Sequence, residues 1–473
     1  IYGTLRNTTN QLVTATILAT PRYSYTSPTS GFCEGIPFTL TINLNPAAQI
    51  NPFTAVICSG ETFEYSPTNN NNGIVPIGTT YAWGLPVTNT TFTGVVTGSG
   101  AASFSGTLTS PVNIQRTATY TITPTTAGCL GTAFTAVITV NPRAVINAMT
   151  AVTCSGTPFV VTPTDVVNGI VPAITTYAWT AVPTVTGGIT GGQTRTGQSN
   201  LNGLLDNPTN TIQTAVYIVT PTVPSNCGAG DSFTLTVTVN PTASISNFTR
   251  VVCNGELFMV SPTTADGRLP DNTTYSWSVS VTNSAITGLA GASNMSYISG
   301  TPINISNQIQ TATYTVTPRS PLGSCNGAVF TITVTVNPSA VINSMTAVAC
   351  SGLPFMATPT TGSNGIVPDN TIYRWSAPSV AAYPGIVASG LVSGTSTTNI
   401  SGTLVNTTNA SITVTYFITP TSPLCGDDAV FSLVATIAPV PAISSTTIST
   451  CALVTFATTP TNGSYNGTAG NIV

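Results

Sequence analysis

The chain has 473 residues, nine basic and twelve acidic, so 4% are charged against the ~25% of an ordinary soluble domain. All nine basic residues are Arg, and there is no Lys and no His. That balance excludes the basic stripe a nucleic-acid binder needs and any His-ligated metal site or His-dependent triad. With 41% hydrophobic residues and little charge repulsion the chain is expected to fold rather than stay disordered, and polar residues break every apolar run before the ~18 residues of a membrane helix.

Along the chain, residues 1–45 come first, without an initiating Met or a signal peptide, so an upstream segment is expected to be missing. They match the second half of the unit that starts at Pro46: Tyr2-Gly3-Thr4-Leu5 aligns with Ser105-Gly106-Thr107-Leu108, and Cys33 takes the place of a later cysteine. The first full unit begins at Pro46. It carries Ala55 to Phe63 (Ala-Val-Ile-Cys-Ser-Gly-Glu-Thr-Phe), Pro67, a loop ending Gly-Ile-Val-Pro, and Tyr81-x-Trp83. Next come a segment centred on Tyr120, Cys129, and Phe134–Val140 before Asn141-Pro142. In 117–123 the Thr side chains fall on one face and Ala118, Tyr120 and Ile122 on the other, while Phe134, Ala136, Ile138 and Val140 share a face. Such period-two alternation of β-branched residues, bounded by Pro, Gly and Asn, predicts half-buried antiparallel strands.

The same succession recurs. The cysteine phrase returns at Ala151–Phe159, Arg250–Phe258 and Ala347–Phe355, weakly around Cys451, with a Pro after each copy (Pro163, Pro262, Pro359, Pro460). Trp179, Trp277 and Trp375 repeat Trp83; Tyr217, Tyr314 and Tyr416 repeat Tyr120; Cys227, Cys325 and Cys425 repeat Cys129. The boundary Pro falls at 46, 142, 241, 338 and 439, steps of 96, 99, 97 and 101 residues, so the chain reads as a tandem array. The expected divisions are a partial repeat over 1–45 (second half), β-sandwich repeats over 46–141, 142–240, 241–337 and 338–438, and a partial repeat over 439–473 (first third). Incomplete sandwiches expose their cores, so the sequence reads as a window on a longer array. About seven strands per repeat predict an all-β fold, a tandem array of immunoglobulin-like antiparallel β-sandwich domains forming an elongated rod, with the repeated Trp and Tyr in the core.

The Cys-Ser-Gly-x-Pro-Phe, Gly-Ile-Val-Pro, Tyr-x-Trp and Cys-x-Gly-x-x-Phe succession resembles the PKD-like repeats of very long Bacteroidota cell-surface proteins. That group includes gliding-motility adhesins exported by type IX secretion. The resemblance covers the four complete repeats and both partial ones. It implies an extracellular, cell-surface location, and partners that are further repeats of the same chain, surface glycans or neighbouring fibre chains.

One cysteine pair per repeat predicts an oxidising setting and disulfides. Counting residues from each boundary Pro puts the first cysteine of a repeat one domain length from its entrance, and the second at the entrance. This favours bridges between repeats, Cys58–Cys227, Cys154–Cys325 and Cys253–Cys425, with pairs inside a repeat such as Cys58–Cys129 left open; Cys33, Cys129, Cys350 and Cys451 complete the candidates. The acids are scattered, with Asp427-Asp428 and the Asp266/Asp271 loop read as solvated turns and, as the alternative, calcium ligands. Asn-x-Ser/Thr triplets at Asn89, Asn247, Asn272, Asn294, Asn304, Asn406 and Asn409 are possible glycosylation acceptors. With no base to activate Ser or Thr, no catalytic residue, metal or cofactor is expected. The function expected is a structural stalk in a bacterial surface adhesin or filament. The alternatives are glycan or ice binding by Thr-rich faces, as in 234–238 and 331–335, or self-assembly into a fibre or sheath.

Overall fold

The computed structural model describes the chain except at residues 90, 181–182, 226, 442–446, 453, 456, 458–463, 466–467 and 470–473. Pro460 and much of the closing segment 439–473 thus lie outside the described residues. Two compact units divide at Asn240/Pro241. Each holds two hydrophobic cores: Ala48 to Val140 and Ala144 to Val239 in the first, Ala243 to Val336 and Ala340 to Ile437 in the second. Among the described residues regular structure is β apart from four 3-10 turns.

The first sandwich shows the plan. Its larger sheet runs, edge to edge, Gly98–Ala101, Thr80–Trp83, Arg116–Thr126, Phe134–Asn141 and Phe53–Cys58. Facing it, Thr62–Tyr65 pairs with Phe104–Thr107. The leading strand Phe53–Cys58 runs parallel to the closing strand Phe134–Asn141, with Cys58 opposite Asn141. The inward and outward faces obey the residue pattern: on Arg116–Thr126, Ala118, Tyr120 and Ile122 are all at most 1% exposed, and Thr residues alternate with them on the other face.

The same order holds in the other three sandwiches, whose leading strands are Met149–Cys154, Phe248–Cys253 and Met345–Cys350, paired parallel to Phe233–Asn240, Phe330–Asn337 and Phe431–Ala438. Among its described residues the first sandwich has eleven strands rather than seven. The excess comes from two-residue ladders such as Gln49–Ile50 with Gly73–Ile74, where a loop crosses the entering chain. This explains the Gly of Gly-Ile-Val-Pro. At Gly73 φ is +108°, and a Cβ would lie 2.2 Å from the Gln49 carbonyl oxygen; Gly169, Gly267 and Gly365 make the same approach to Val145, Ser244 and Val341. Only glycine fits there. The Pro three residues on from each Gly accepts a hydroxyl hydrogen bond from a nearby Thr, as Thr175 Oγ1 to Pro172 O at 2.6 Å.

Residues 1–45 form two ladders, Val13–Ala19 with Phe38–Leu44 and Arg22–Tyr25 with Gly31–Glu34. Ile17 and Phe38, at the positions that Tyr120 and Phe134 hold in the first sandwich, are 36% and 49% exposed.

Candidate functional site at the cysteine junctions

The first cysteine of each repeat ends its leading strand. The next residue donates its N–H to the last residue of the closing strand, as Ser59 to Asn141 O and Ser351 to Ala438 O. The turn is fixed again at the residue after that, where Gly60, Gly156, Gly255 and Gly352 donate to Leu108, Leu205, Pro302 and Leu404. In the first and third sandwiches a Glu completes it, its carboxylate accepting from the cysteine N–H (Glu61 to Cys58 and Glu256 to Cys253, both 2.9 Å).

The second cysteine lies at the other end. Cys129 sits opposite Thr126, across an 11-residue strand spanning about 33 Å from the end that holds Cys58. A bridge needs Cα atoms within about 7 Å, so Cys58 and Cys129 do not meet. Instead Cys58 is joined to Cys227, in the turn before the closing strand of the second sandwich, with Cα atoms 5.5 Å apart. In the second unit Cys253 is joined to Cys425 at 5.7 Å. Cys154 and Cys325 are disulfide-bonded as well.

The remaining candidates Cys33, Cys129, Cys350 and Cys451 are free thiols. In both of these bridges, each within one unit, a first-type cysteine meets a second-type cysteine of the next repeat, and residues 439–473 contain no second-type cysteine. Similarly, residues 1–45 offer Cys129 no first-type cysteine.

Polar contacts flank the bridges. Asn141 Nδ2 donates to Ser225 O at 3.3 Å beside Cys58–Cys227, and Gln308 Nε2 to Asp369 Oδ2 at 3.5 Å near Cys253–Cys425. The acids singled out in the sequence hold turns. Asp428 Oδ2 accepts from Ser422 Oγ and, at 3.0 Å, from the N–H of Ala340. Asp427 pairs with Arg374 at 3.1 Å. Asp266 accepts from the Thr263 N–H and hydroxyl, which hold its carboxyl below the usual carboxylate range. Among the described residues no three His, Cys, Asp or Glu side chains converge as a metal site would require.

Trp83, Trp179 and Trp277 are buried, and Trp375 is only half-buried. Trp83 and Trp277 donate their indole N–H to Val96 O and Ala290 O at 3.1 Å. Tyr120, Tyr217, Tyr314 and Tyr416 are all at most 3% exposed, and burial pushes the Tyr314 and Tyr416 phenols up to about 12.

Two of the glycosylation candidates are corrected. Asn304 is fully buried and Asn406 is 1% exposed. Asn406 Nδ2 donates to Ala410 O at 2.7 Å and Ile437 O at 2.9 Å, and its Oδ1 accepts from the Thr408 N–H and hydroxyl at 2.8 Å. Asn304 makes the same set with Gln308, Val336 and Ser306. The amide that would carry a glycan is already committed. Asn207 is a third such clasp. The signal missed in the sequence is that Asn207, Asn304 and Asn406 occupy one repeat position, six residues ahead of the long strands Gln213–Val223, Gln310–Arg319 and Ile412–Ser422, where the first sandwich has Ser110.

Fold and junctions together define a class: tandem β-sandwich repeats in which neighbouring repeats of a unit are covalently joined. The chain belongs to the PKD-like domain family, whose profile matches residues 55–144, 146–243, 250–340 and 347–441. A search of curated proteins found no match. Among solved structures, the chain is similar to the human desmocollin-1 ectodomain, with 11% identity, 88% of this chain and 84% of that chain covered, and a TM-score of 0.22. It is also similar to sidekick-1 immunoglobulin domains 1–4, with 9% identity, coverage of 82% and 96%, and a TM-score of 0.20.

Proposed function

We propose that the chain is a load-bearing stalk segment of an extracellular surface protein, of the adhesin or filament type that its repeats resemble, with domain boundaries at Pro46, Pro142, Pro241, Pro338 and Pro439. The observation that carries this is the bridge from the far end of one sandwich to the near end of the next, present in both units. A disulfide inside a sandwich would stabilise that sandwich alone. One across a junction restricts how two sandwiches bend against each other, which matters to a spacer and not to a catalyst. Uncharged hydroxyl-rich faces suit a surface exposed to changing salt, since exposed ion pairs weaken as salt rises. Type IX export and a role in gliding belong to this proposal through the resemblance alone. Small-angle scattering of the oxidised and reduced chain tests it. Reduction should broaden the distribution of overall dimensions while leaving the β circular dichroism intact, and identical distributions would refute the stalk reading.

A saccharide-binding role has one place to stand. The fourth sandwich carries an open cleft of about 570 Å³ lined by Arg374, Ser376, Ser393, Thr395, Phe417 and Thr419. Phe417 is 66% exposed, where the first and third sandwiches have Thr121 and Thr315. Arg374 is held by Thr421 and Asp427 at 3.1 Å. A glycan array comparing the chain with Phe417→Thr tests this reading; it requires a hit that the substitution removes.

A further inference from the structure

We propose that the leading strands are a lateral docking edge for a second copy of this chain, which pairs with them strand to strand. Each leading strand ends its sheet and is bonded on one side only, to the closing strand. Its other side presents backbone N–H and C=O groups that no other strand among the described residues takes up, except at the cysteine, whose C=O accepts from its own turn in every sandwich and whose N–H is held by Glu61 or Glu256 in the first and third. Such a row accepts an extended chain.

The two edges of the larger sheet are not alike. At the far edge, Gly98–Ala101, Arg195–Gln198 and Ala292–Met295 are four residues long and each carries a register shift against its neighbour. Gly394–Ser396 is three residues long. Short, bulged edges resist pairing. The leading strands are six residues long with unbroken register in every sandwich.

Their chemistry also favours pairing. Phe-Thr-Ala-Val-Ile-Cys, Met-Thr-Ala-Val-Thr-Cys, Phe-Thr-Arg-Val-Val-Cys and Met-Thr-Ala-Val-Ala-Cys contain one charge, Arg250. An edge Lys, the usual guard, is absent. The fourth position is Val in all four, and Val56, Val152, Val251 and Val348 are 68%, 69%, 67% and 75% exposed. The occupant is a second copy because two identical strands laid antiparallel are each other's complement, giving a closed two-fold contact. The net charge of −3 opposes that approach little. Four such edges on one chain let weak contacts add wherever more than one engages. A docking edge of this kind serves a stalk or any other array equally.

Free thiols would crosslink copies on their own, so the full chain is tested with them alkylated, by sedimentation velocity over a range of concentrations. Unmodified chain should self-associate. The variant Val56→Lys, Val152→Lys, Val251→Lys, Val348→Lys places like charges across the contact and should weaken association by about tenfold or more. A control, Ser99→Lys, Thr196→Lys, Ser293→Lys, Thr395→Lys, adds the same charge at the opposite edge and should associate as the unmodified chain does. A chain that stays monomeric throughout overturns the proposal, as does equal loss in both variants or none in the first. Hydrogen exchange of the unmodified chain provides a readout that needs no variant. Amides of the leading strands should gain protection as concentration rises while those of 98–101 do not, and the absence of that gain counts against the proposal.

Discussion

The hairpin Val13–Ala19/Phe38–Leu44 and the hairpin made by Arg116–Thr126 and Phe134–Asn141 are the same ladder in different company. Both are antiparallel with equivalent register, Val13 opposite Leu44 and Arg116 opposite Val140. Even the clasp ahead of the first strand is shared with the later repeats: Asn7 Nδ2 donates to Gln11 O and Leu44 O, as Asn406 does to Ala410 O and Ile437 O. What differs is cover. Over the second hairpin lie a leading strand, a Tyr-x-Trp strand and a second sheet, and Tyr120 is 1% exposed; over the first, none of these is present among the described residues and Ile17 is 36% exposed. Local sequence is enough to shape the hairpin, and burial has to be supplied from outside it, as by Phe104 and Phe63, whose rings lie 5.0 and 6.1 Å from that of Tyr120.

The two hairpins should diverge most in their cores. Tyr314→Ala should cost its sandwich about 3–5 kcal/mol, whereas Ile17→Ala in the open hairpin should stay within about 0.5 kcal/mol. Denaturant titration combined with hydrogen exchange of each segment separates the two, and equal losses would mean that the hairpin is covered in solution. Next in size is the staple. Cys253→Ser should remove about 2–4 kcal/mol and Cys350→Ser almost nothing, as thermal melts of the oxidised variants would show.

Smaller still is the clasp. Asn406→Ala strands buried carbonyls and should cost about 2 kcal/mol, while Asn7→Ala, whose partners can turn to water, should cost under about 1 kcal/mol; the same melts, run on both variants, check the ranking. The least effect is expected at the buried phenols. The hydroxyls of Tyr314 and Tyr416 have no hydrogen-bond partner in their cores, so Tyr314→Phe should be neutral or stabilising by up to about 1 kcal/mol at pH 7. Their ionisation is pushed from 10 up to about 12. The folded state therefore binds these protons more tightly than the unfolded one. Their contribution is full below pH 10 and is lost as pH rises toward 12. An alkaline melt should show that loss, reduced in Tyr314→Phe.

Much of this architecture is legible in the residues because it is periodic. Alternation in 117–123 and 134–140 marks the strands and their inward faces, and the rotation of Tyr, Trp and Cys marks the repeat. Counting from Pro46 locates Cys58 and Cys129 at opposite ends because both adjoin uninterrupted strands. Other features leave no such trace. The parallel pairing of leading and closing strands joins segments some 80 residues apart, with no local signature. The clasps at Asn304 and Asn406 look like glycosylation triplets, since burial alone distinguishes a committed amide from a free one. Trp375 carries the same motif as Trp83, yet it is half-buried where Trp83 is buried, a difference the motif does not carry.

The parallel leading strand has a mechanical consequence. Tension drawn along a sandwich from its entrance to its exit pulls the leading and closing strands past each other, so the six-residue ladder between them is loaded in shear, all bonds together, rather than unzipped one at a time. Where Cys58 is tied to Cys227, part of that tension leaves the ladder at its far end and passes through a covalent bond into the next sandwich. The weakest link then shifts from the hydrogen bonds to the redox state of the surroundings.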